Sequence, residues 1–173
     1  MCRCLLKAGL ELTVWNRSFK KAEALRAEGA TAASTPDEAV SGADVIITML
    51  SDGAAVEEVM FGKGAAKAIV KGATRIDMSS IGAAEAMAHA ERHKASGVEY
   101  LDAPVSGGTK GAATGELAIM VGGDLEIFTT MSPVFNAMGR ATHVGPNGCG
   151  QLSKLANQMI VAVTIGAVSE AFI

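Results

Sequence analysis

No run of basic residues occurs anywhere in this chain. Its 15 lysines and arginines are scattered among 18 acids, and the net charge is −3. Phosphate backbones are gripped by a clustered basic face, so this pattern excludes a nucleic-acid binder. Disulfide chemistry is equally ill served. Cys2, Cys4 and Cys149 are odd in number and form no Cys-x-x-Cys pair, which fits a reducing compartment. The opening Met1-Cys2-Arg3-Cys4-Leu5-Leu6 has no long apolar core of a secretion signal. A membrane span needs about 20 apolar residues. Asn157, Gln158, Ser169 and Glu170 interrupt the apolar segment 155–173, so a buried helix is expected there. There is no glycine-rich loop ending in Gly-Lys-Ser or Gly-Lys-Thr, and no His-Glu-x-x-His pattern. His89 and His93 are four apart, but they lie among Glu85, Glu91, Arg92 and Lys94 and read as an exposed helix face, so no metal is expected.

Aromatics are only 4% of residues and prolines number 4, whereas glycines number 20 and apolar residues reach 49%. That is the composition of a globular chain in which helices pack closely on a sheet. Short β-rich runs at residues 12–15, 45–50, 74–78, 98–101, 117–121 and 142–144 alternate with helical patterns at 20–28, 36–40, 54–60, 83–94 and 125–138. The run Val45-Ile46-Ile47-Thr48-Met49-Leu50 is apolar throughout, as in a strand covered on both faces. The alternation implies an α/β fold with a mainly parallel sheet and right-handed crossovers. Thr35-Pro36-Asp37-Glu38 and Ser51-Asp52-Gly53 carry helix-start signals, and Gly29 and Gly97 follow helices as left-handed caps. The chain opens directly in a helical pattern, residues 1–8. The expectation is therefore a strand–turn–helix–strand unit without its first strand and glycine turn.

Five segments stand where chemistry is expected, since ligands of open α/β sheets bind outside the carboxyl ends of the strands. Asn16-Arg17-Ser18 ends the first strand, where an acid would accept from a ribose 2′-hydroxyl; an arginine there suits a 2′-phosphate. That points to NADP, with NAD the alternative. Met49-Leu50 follows the most apolar strand and could contact a nucleotide. Ser80 ends the next strand, where it could bond the cofactor or cap the following helix. In Asp102-Ala103-Pro104-Val105-Ser106-Gly107-Gly108, a hydroxyl stands beside two glycines whose N–H groups can cradle a carboxylate. Finally, Lys154 and Asn157 share a helix face in Gly148-Cys149-Gly150-Gln151-Leu152-Ser153-Lys154-Leu155-Ala156-Asn157. An ammonium among apolar residues with an amide beside it is a proton donor and a substrate clamp in reach of one another.

The order and spacing of these motifs resemble the β-hydroxyacid dehydrogenase family. The segment 102–108 is similar to its substrate signature, and Gly148-x-Gly150-x-x-x-Lys154-x-x-Asn157 to its catalytic one. The resemblance implies Lys154 as the catalytic lysine, with Ser106, Gly107, Gly108 and Asn157 at the substrate. It implies Asn16, Arg17, Ser18, Met49, Leu50 and Ser80 at an NADP or NAD cofactor. It further implies a Rossmann-like mainly parallel sheet lacking its first strand and Gly-x-Gly-x-x-Gly turn. Residues 1–146 would form this incomplete cofactor domain, and 147–173 the first part of a long helix leading into an all-helical domain. The expected activity is hydride transfer between nicotinamide and a small carboxylate-bearing β-hydroxy acid or semialdehyde, tartronate-semialdehyde-like or 3-hydroxyisobutyrate-like. A homodimer or tetramer, with no nucleic-acid or membrane partner, is expected of the complete protein, in the cytoplasm or an organelle. Two alternatives stand beside this reading: a truncated, catalytically impaired chain that binds cofactor or a partner, and a relative of 6-phosphogluconate dehydrogenase. The second would want more cations near the serine–glycine loop than Lys110.

Overall fold

The computed structural model describes residues 1–172. Strands and helices alternate as α1 (Cys2–Lys7), β1 (Thr13–Val14), α2 (Phe19–Glu23), β2 (Thr31–Ala32), α3 (Pro36–Val40), β3 (Val45–Thr48), α4 (Gly53–Glu57), α5 (Ala65–Ala68), β4 (Thr74–Asp77), α6 (Ala83–Lys94), β5 (Glu99–Asp102), β6 (Val105–Ser106), α7 (Gly108–Thr114), β7 (Leu117–Gly122), α8 (Leu125–Thr130), α9 (Ser132–Met138), β8 (Gly139–Gly145) and α10 (Cys149–Ala171). The start signals read from sequence act as such. The Thr35 side chain accepts from the Glu38 N–H, and that of Asp52 from the Ala55 N–H.

β3, β4 and β5 pair in parallel, in a register that sets their last residues, Thr48, Asp77 and Asp102, level with one another. β7 then joins β5 and β6 through short antiparallel ladders and β8 through a longer parallel one. β1 and β2 make a parallel pair of their own, without hydrogen bonds to the larger sheet. Because strand side chains alternate between faces, the sheet divides the core in two. Val45, Ile47, Ile76, Leu101 and Val121 pack with Leu5, Phe135 and Met138 on one side, while Ile46 packs with Val56, Met60 and Val98 on the other. Helices therefore cover both faces, as the apolar run at 45–50 implied.

Several local expectations change. The helix expected over 125–138 is broken into α8 and α9 just before Pro133, which has no N–H for an intrahelical bond. Residues 20–28 form α2 and then a separate 3₁₀ turn, and residues 54–60 pass from α4 into a π turn at Glu58–Gly62. The first strand shrinks to Thr13–Val14, the only two residues with a ladder partner.

The face carrying His89 and His93 is not exposed; the two rings are only 4% and 1% accessible. The charged residues around them in sequence point elsewhere on α6, and the two imidazoles turn onto the sheet. There His93 stacks on Tyr100, and Phe61 lies against both rings. Both imidazoles are held below their ordinary pKa, first by burial and then by the neighbouring Arg75 guanidinium, His93 down to about 3. The segment after residue 154 departs from expectation in the opposite sense. The 23-residue α10 is long and apolar enough to cross a membrane, yet Leu155, Met159, Ile160, Val163 and Ile165 are exposed rather than buried. Only its first turns meet the sheet and α6.

Candidate active site

The level ends of β3, β4 and β5 put three loops on one edge of the sheet, and the candidate residues stand on them. Met49 and Leu50 follow β3, Ser79 and Ser80 follow β4, and the 103–108 segment follows β5. Beneath this edge lies a buried polar cluster. Asp77 accepts from the Arg75 guanidinium at 2.8 Å, from Thr48 Oγ1 at 2.9 Å and from the Ser79 N–H at 3.1 Å. Arg75 also donates to His93 Nε2 at 2.9 Å. A guanidinium only donates, so that nitrogen accepts and the ring carries its proton on Nδ1. Ser79 Oγ in turn accepts from the Leu50 N–H at 3.0 Å, locking one strand-end loop to the next.

The glycine segment is not the plain loop that its sequence suggests. Val105 and Ser106 form the short strand β6 against β7, which holds the Ser106 backbone in place. Gly107 and Gly108 follow with φ of +128° and +61°. That left-handed region is costly for residues with a Cβ, so only glycine turns the chain there directly into α7.

α10 reaches the same edge because two glycines let it come close. A Cβ on Gly150 would sit 2.5 Å from the carbonyl oxygens of Asp102 and Met120, and one on Gly122 would lie 2.8 Å from the Gly150 nitrogen. The buried Asp102 carboxylate receives the free N–H groups of the helix start, from Gly148 at 2.8 Å and Gln151 at 3.0 Å. Burial raises its pKa, and these bonds oppose the rise.

The result is a cavity of about 340 Å³ that brings together Met49, Ser106, Gly107, Gly108 and Lys154. Met49 is 53% exposed, an apolar side chain left open on the crevice lip. Lys154 is half-buried, and burial lowers its pKa from the ordinary value of 10.5. Asn157 does not line this cavity; its amide donates to Gln158 Oε1 at 3.3 Å, and Gln158 is the lining residue. Gln158 was missed in the sequence although it stands four residues after Lys154, a spacing that shares a helix face as well as three does. Met1 and Val161 also line the cavity, and nothing in the sequence marked them. Ser80 is exposed and does not cap the next helix; Glu85 bonds the Gly82 N–H there instead. Asn16 accepts from the Ser18 N–H at 2.9 Å, which shapes the loop and leaves Arg17 exposed beyond β1. Among the described residues no group of side chains could hold a metal ion.

The family described as the NAD binding domain of 6-phosphogluconate dehydrogenase matches residues 1–147. The chain belongs to that family.

Within it, the relatives are β-hydroxyacid dehydrogenases, as the motifs at 102–108 and 148–157 implied. The chain is 47% identical over 154 residues to 2-hydroxy-3-oxopropionate reductase of Escherichia coli K12, a match covering 88% of this chain and 53% of that protein. It is 40% identical over 173 residues to the NAD-dependent L-serine dehydrogenase of Pseudomonas aeruginosa, covering 99% and 58%. Among solved structures it resembles a 3-hydroxyisobutyrate dehydrogenase of Mycobacterium tuberculosis with L-serine, at a TM-score of 0.93 and 36% identity, covering 98% of this chain and 58% of that one. The chain thus spans a little over half the length of these relatives. Kinship to 6-phosphogluconate dehydrogenase holds for the cofactor domain as a family.

The cavity fits the reactive end of a nicotinamide cofactor. Its lining combines the apolar side chain of Met49, the neutral donors of Ser106, Gly107 and Gly108, and the Lys154 ammonium. The loop 16–18 carries an exposed guanidinium, that of Arg17. The Gly-x-Gly-x-x-Gly turn that would cradle a pyrophosphate is not among the 173 residues.

Proposed function

We propose that this chain forms the cofactor side and supplies the proton-handling lysine of a nicotinamide-dependent oxidoreductase acting on small β-hydroxy acids or their semialdehydes. The observation that carries this reading is the single cavity shared by Met49, Ser106–Gly108 and Lys154. Ser106 Oγ and the Gly107 and Gly108 N–H groups bind the substrate carboxylate through neutral donors. Lys154 is then the one cationic side chain lining the cavity, free to face the reacting oxygen. Gln158, with Asn157 bonded to it, orients the substrate from the same helix face.

A bound nicotinamide would supply the hydride chemistry, as acceptor for oxidation of the alcohol and as donor for reduction of the carbonyl. In the oxidative direction neutral Lys154 accepts the hydroxyl proton as the carbonyl forms. In the reductive direction its ammonium gives that proton to the nascent alkoxide. Partial burial makes the ammonium a stronger acid than a surface lysine, which brings proton transfer nearer to balance at neutral pH. Met49, Leu50 and Ser80 contact the cofactor. Arg17, flanked by Asn16 and Ser18, takes the 2′-phosphate of NADP, which makes NADP the preferred cofactor over NAD. Tartronate semialdehyde and 3-hydroxyisobutyrate are the substrates of first choice, and a homo-oligomer that covers the open face of α10 completes the reading.

Substituting Lys154→Ala tests it. Turnover of a β-hydroxy acid should fall by about 10²–10⁴-fold, the usual worth of a positioned general acid. NADPH binding by isothermal titration should be unchanged. Retained turnover would remove Lys154 from the mechanism. A second reading has its own observation: the β1–β2 pair shares no hydrogen bonds with the larger sheet, so the crevice between them is weakly braced. On that reading the 173 residues alone bind cofactor poorly, and micromolar NADPH affinity would contradict it.

A further inference from the structure

Gln151 lies one helical turn before Lys154 on α10 and is only 3% exposed. Its backbone N–H and both ends of its side-chain amide are used, each on a different part of the sheet edge. Its N–H donates to Asp102 at the end of β5. Its side-chain amide donates from Nε2 to the Ser79 carbonyl at 2.8 Å and accepts at Oε1 from the Ile81 N–H at 3.1 Å. Ser79 is itself bonded through its hydroxyl to the Leu50 N–H and through its own N–H to Asp77. One side chain therefore closes a chain of bonds running from the loop after β3, through the loop after β4, to the helix that bears the lysine. A buried amide with both ends satisfied strongly specifies one geometry, because every alternative leaves a buried donor or acceptor unpaired.

We propose that Gln151 is a positioning residue, which sets where Lys154 stands relative to the loops that line the cofactor crevice. It touches neither cofactor nor substrate. Instead it couples the two walls of the crevice, so that a shift of the 79–81 loop and a shift of α10 cannot occur separately. Nothing in the local sequence marks this role, because its partners are about 70 residues away along the chain.

Two substitutions and two readouts test it. Gln151→Met keeps the length of the side chain and removes both polar ends. Gln151→Glu keeps an acceptor for Ile81 and loses the donor to Ser79. Phe135→Leu serves as the control, since it loosens a buried core position that does not line the cavity. In amide hydrogen exchange on the 173-residue chain, Gln151→Met should speed exchange at Leu50, Ile81 and residues 152–156 together. Gln151→Glu should do so more weakly, and Phe135→Leu should not single out that set. Acceleration confined to Ile81, or equal acceleration in the control, would overturn the proposal. Should Gln151→Met fail to fold, the same comparison is decided by Gln151→Glu.

The second readout rests on the dehydrogenase reading. kcat should drop about 10–100-fold, because a misplacement of about 1 Å costs on that order, while KM for the cofactor changes little. A folded Gln151→Met variant with wild-type kcat would also overturn it. If the wild-type chain alone turns over no hydroxy acid, the kinetic readout does not apply, and the exchange pattern alone decides whether Gln151 couples the loops.

Discussion

Replacing Asp102 with alanine removes the acceptor for two backbone N–H groups at the start of α10, those of Gly148 and Gln151. Both donors lie beneath the sheet edge where water is excluded, and the bonds are charge-assisted. A buried donor left unpaired costs about 1–3 kcal/mol. Two of them come to about 2–6 kcal/mol. Against this stands a relief, since the carboxylate is fully buried with no cation bonded to it, and burial raises its pKa. The net expectation is a loss of about 3 kcal/mol, a large part of the 5–15 kcal/mol typical of a domain. Asparagine in its place should cost about 1–2 kcal/mol, because one oxygen still accepts while the NH₂ faces a second donor. The pH dependence gives an independent check. A carboxyl whose folded pKa is raised binds its proton more readily in the folded state. Its contribution to stability therefore falls as pH rises from 3.8 through the folded value, and Asp102→Asn should flatten that limb. Urea unfolding followed by circular dichroism measures each quantity. A loss below about 1 kcal/mol for Asp102→Ala would refute the account of how α10 is anchored.

Three further outcomes are expected. His93 is neutral when folded, with its pKa lowered from 6.5 to about 3. Its contribution to stability is thus complete above pH 6.5 and is lost on acidification at about 1.4 kcal/mol per pH unit. His89 shifts in the same direction. His93→Gln, which can still accept from Arg75, should reduce the slope of the urea midpoint between pH 6.5 and 4.5, roughly half of the titration range; an unchanged slope would clear His93. Gly150→Ala should push α10 away from the sheet, since the added carbon meets two backbone carbonyls that cannot rotate aside. Thermal melting should fall by about 5 °C or more, and a wild-type melt would show that the helix adjusts freely. Arg17→Ala should weaken NADPH binding about tenfold and leave NADH unchanged, the worth of one charge-assisted pair to a phosphate. Equal effects on the two cofactors would place the 2′-phosphate elsewhere.

Much of the candidate site was legible from residue order alone, for a physical reason. In a parallel sheet the carboxyl ends of the strands lie on one edge, so any strand followed by a polar or glycine-rich turn contributes to one crevice. Met49, Ser106–Gly108 and Lys154 are far apart in sequence and meet because of that rule, not because of neighbouring residues. Helix starts were legible too, since a cap such as Thr35 or Asp52 bonds within its own turn.

What escaped the sequence are features whose partners are distant. His89 and His93 look solvated when judged by the charges beside them, yet their surroundings are Arg75, Phe61 and Tyr100 from other elements. The choice of Gln158 over Asn157 as the cavity residue depends on how α10 is rotated, and that rotation is fixed by Gly150, Gly122 and Asp102. By itself the sequence determined the alternating α/β order and the strand ends that share one edge, because these follow from period and local turn chemistry. Only the tertiary structure decided which face of each helix looks inward and which buried polar groups are paired. Those outcomes are set by hydrogen bonds and close approaches between residues some 20 to 70 positions apart.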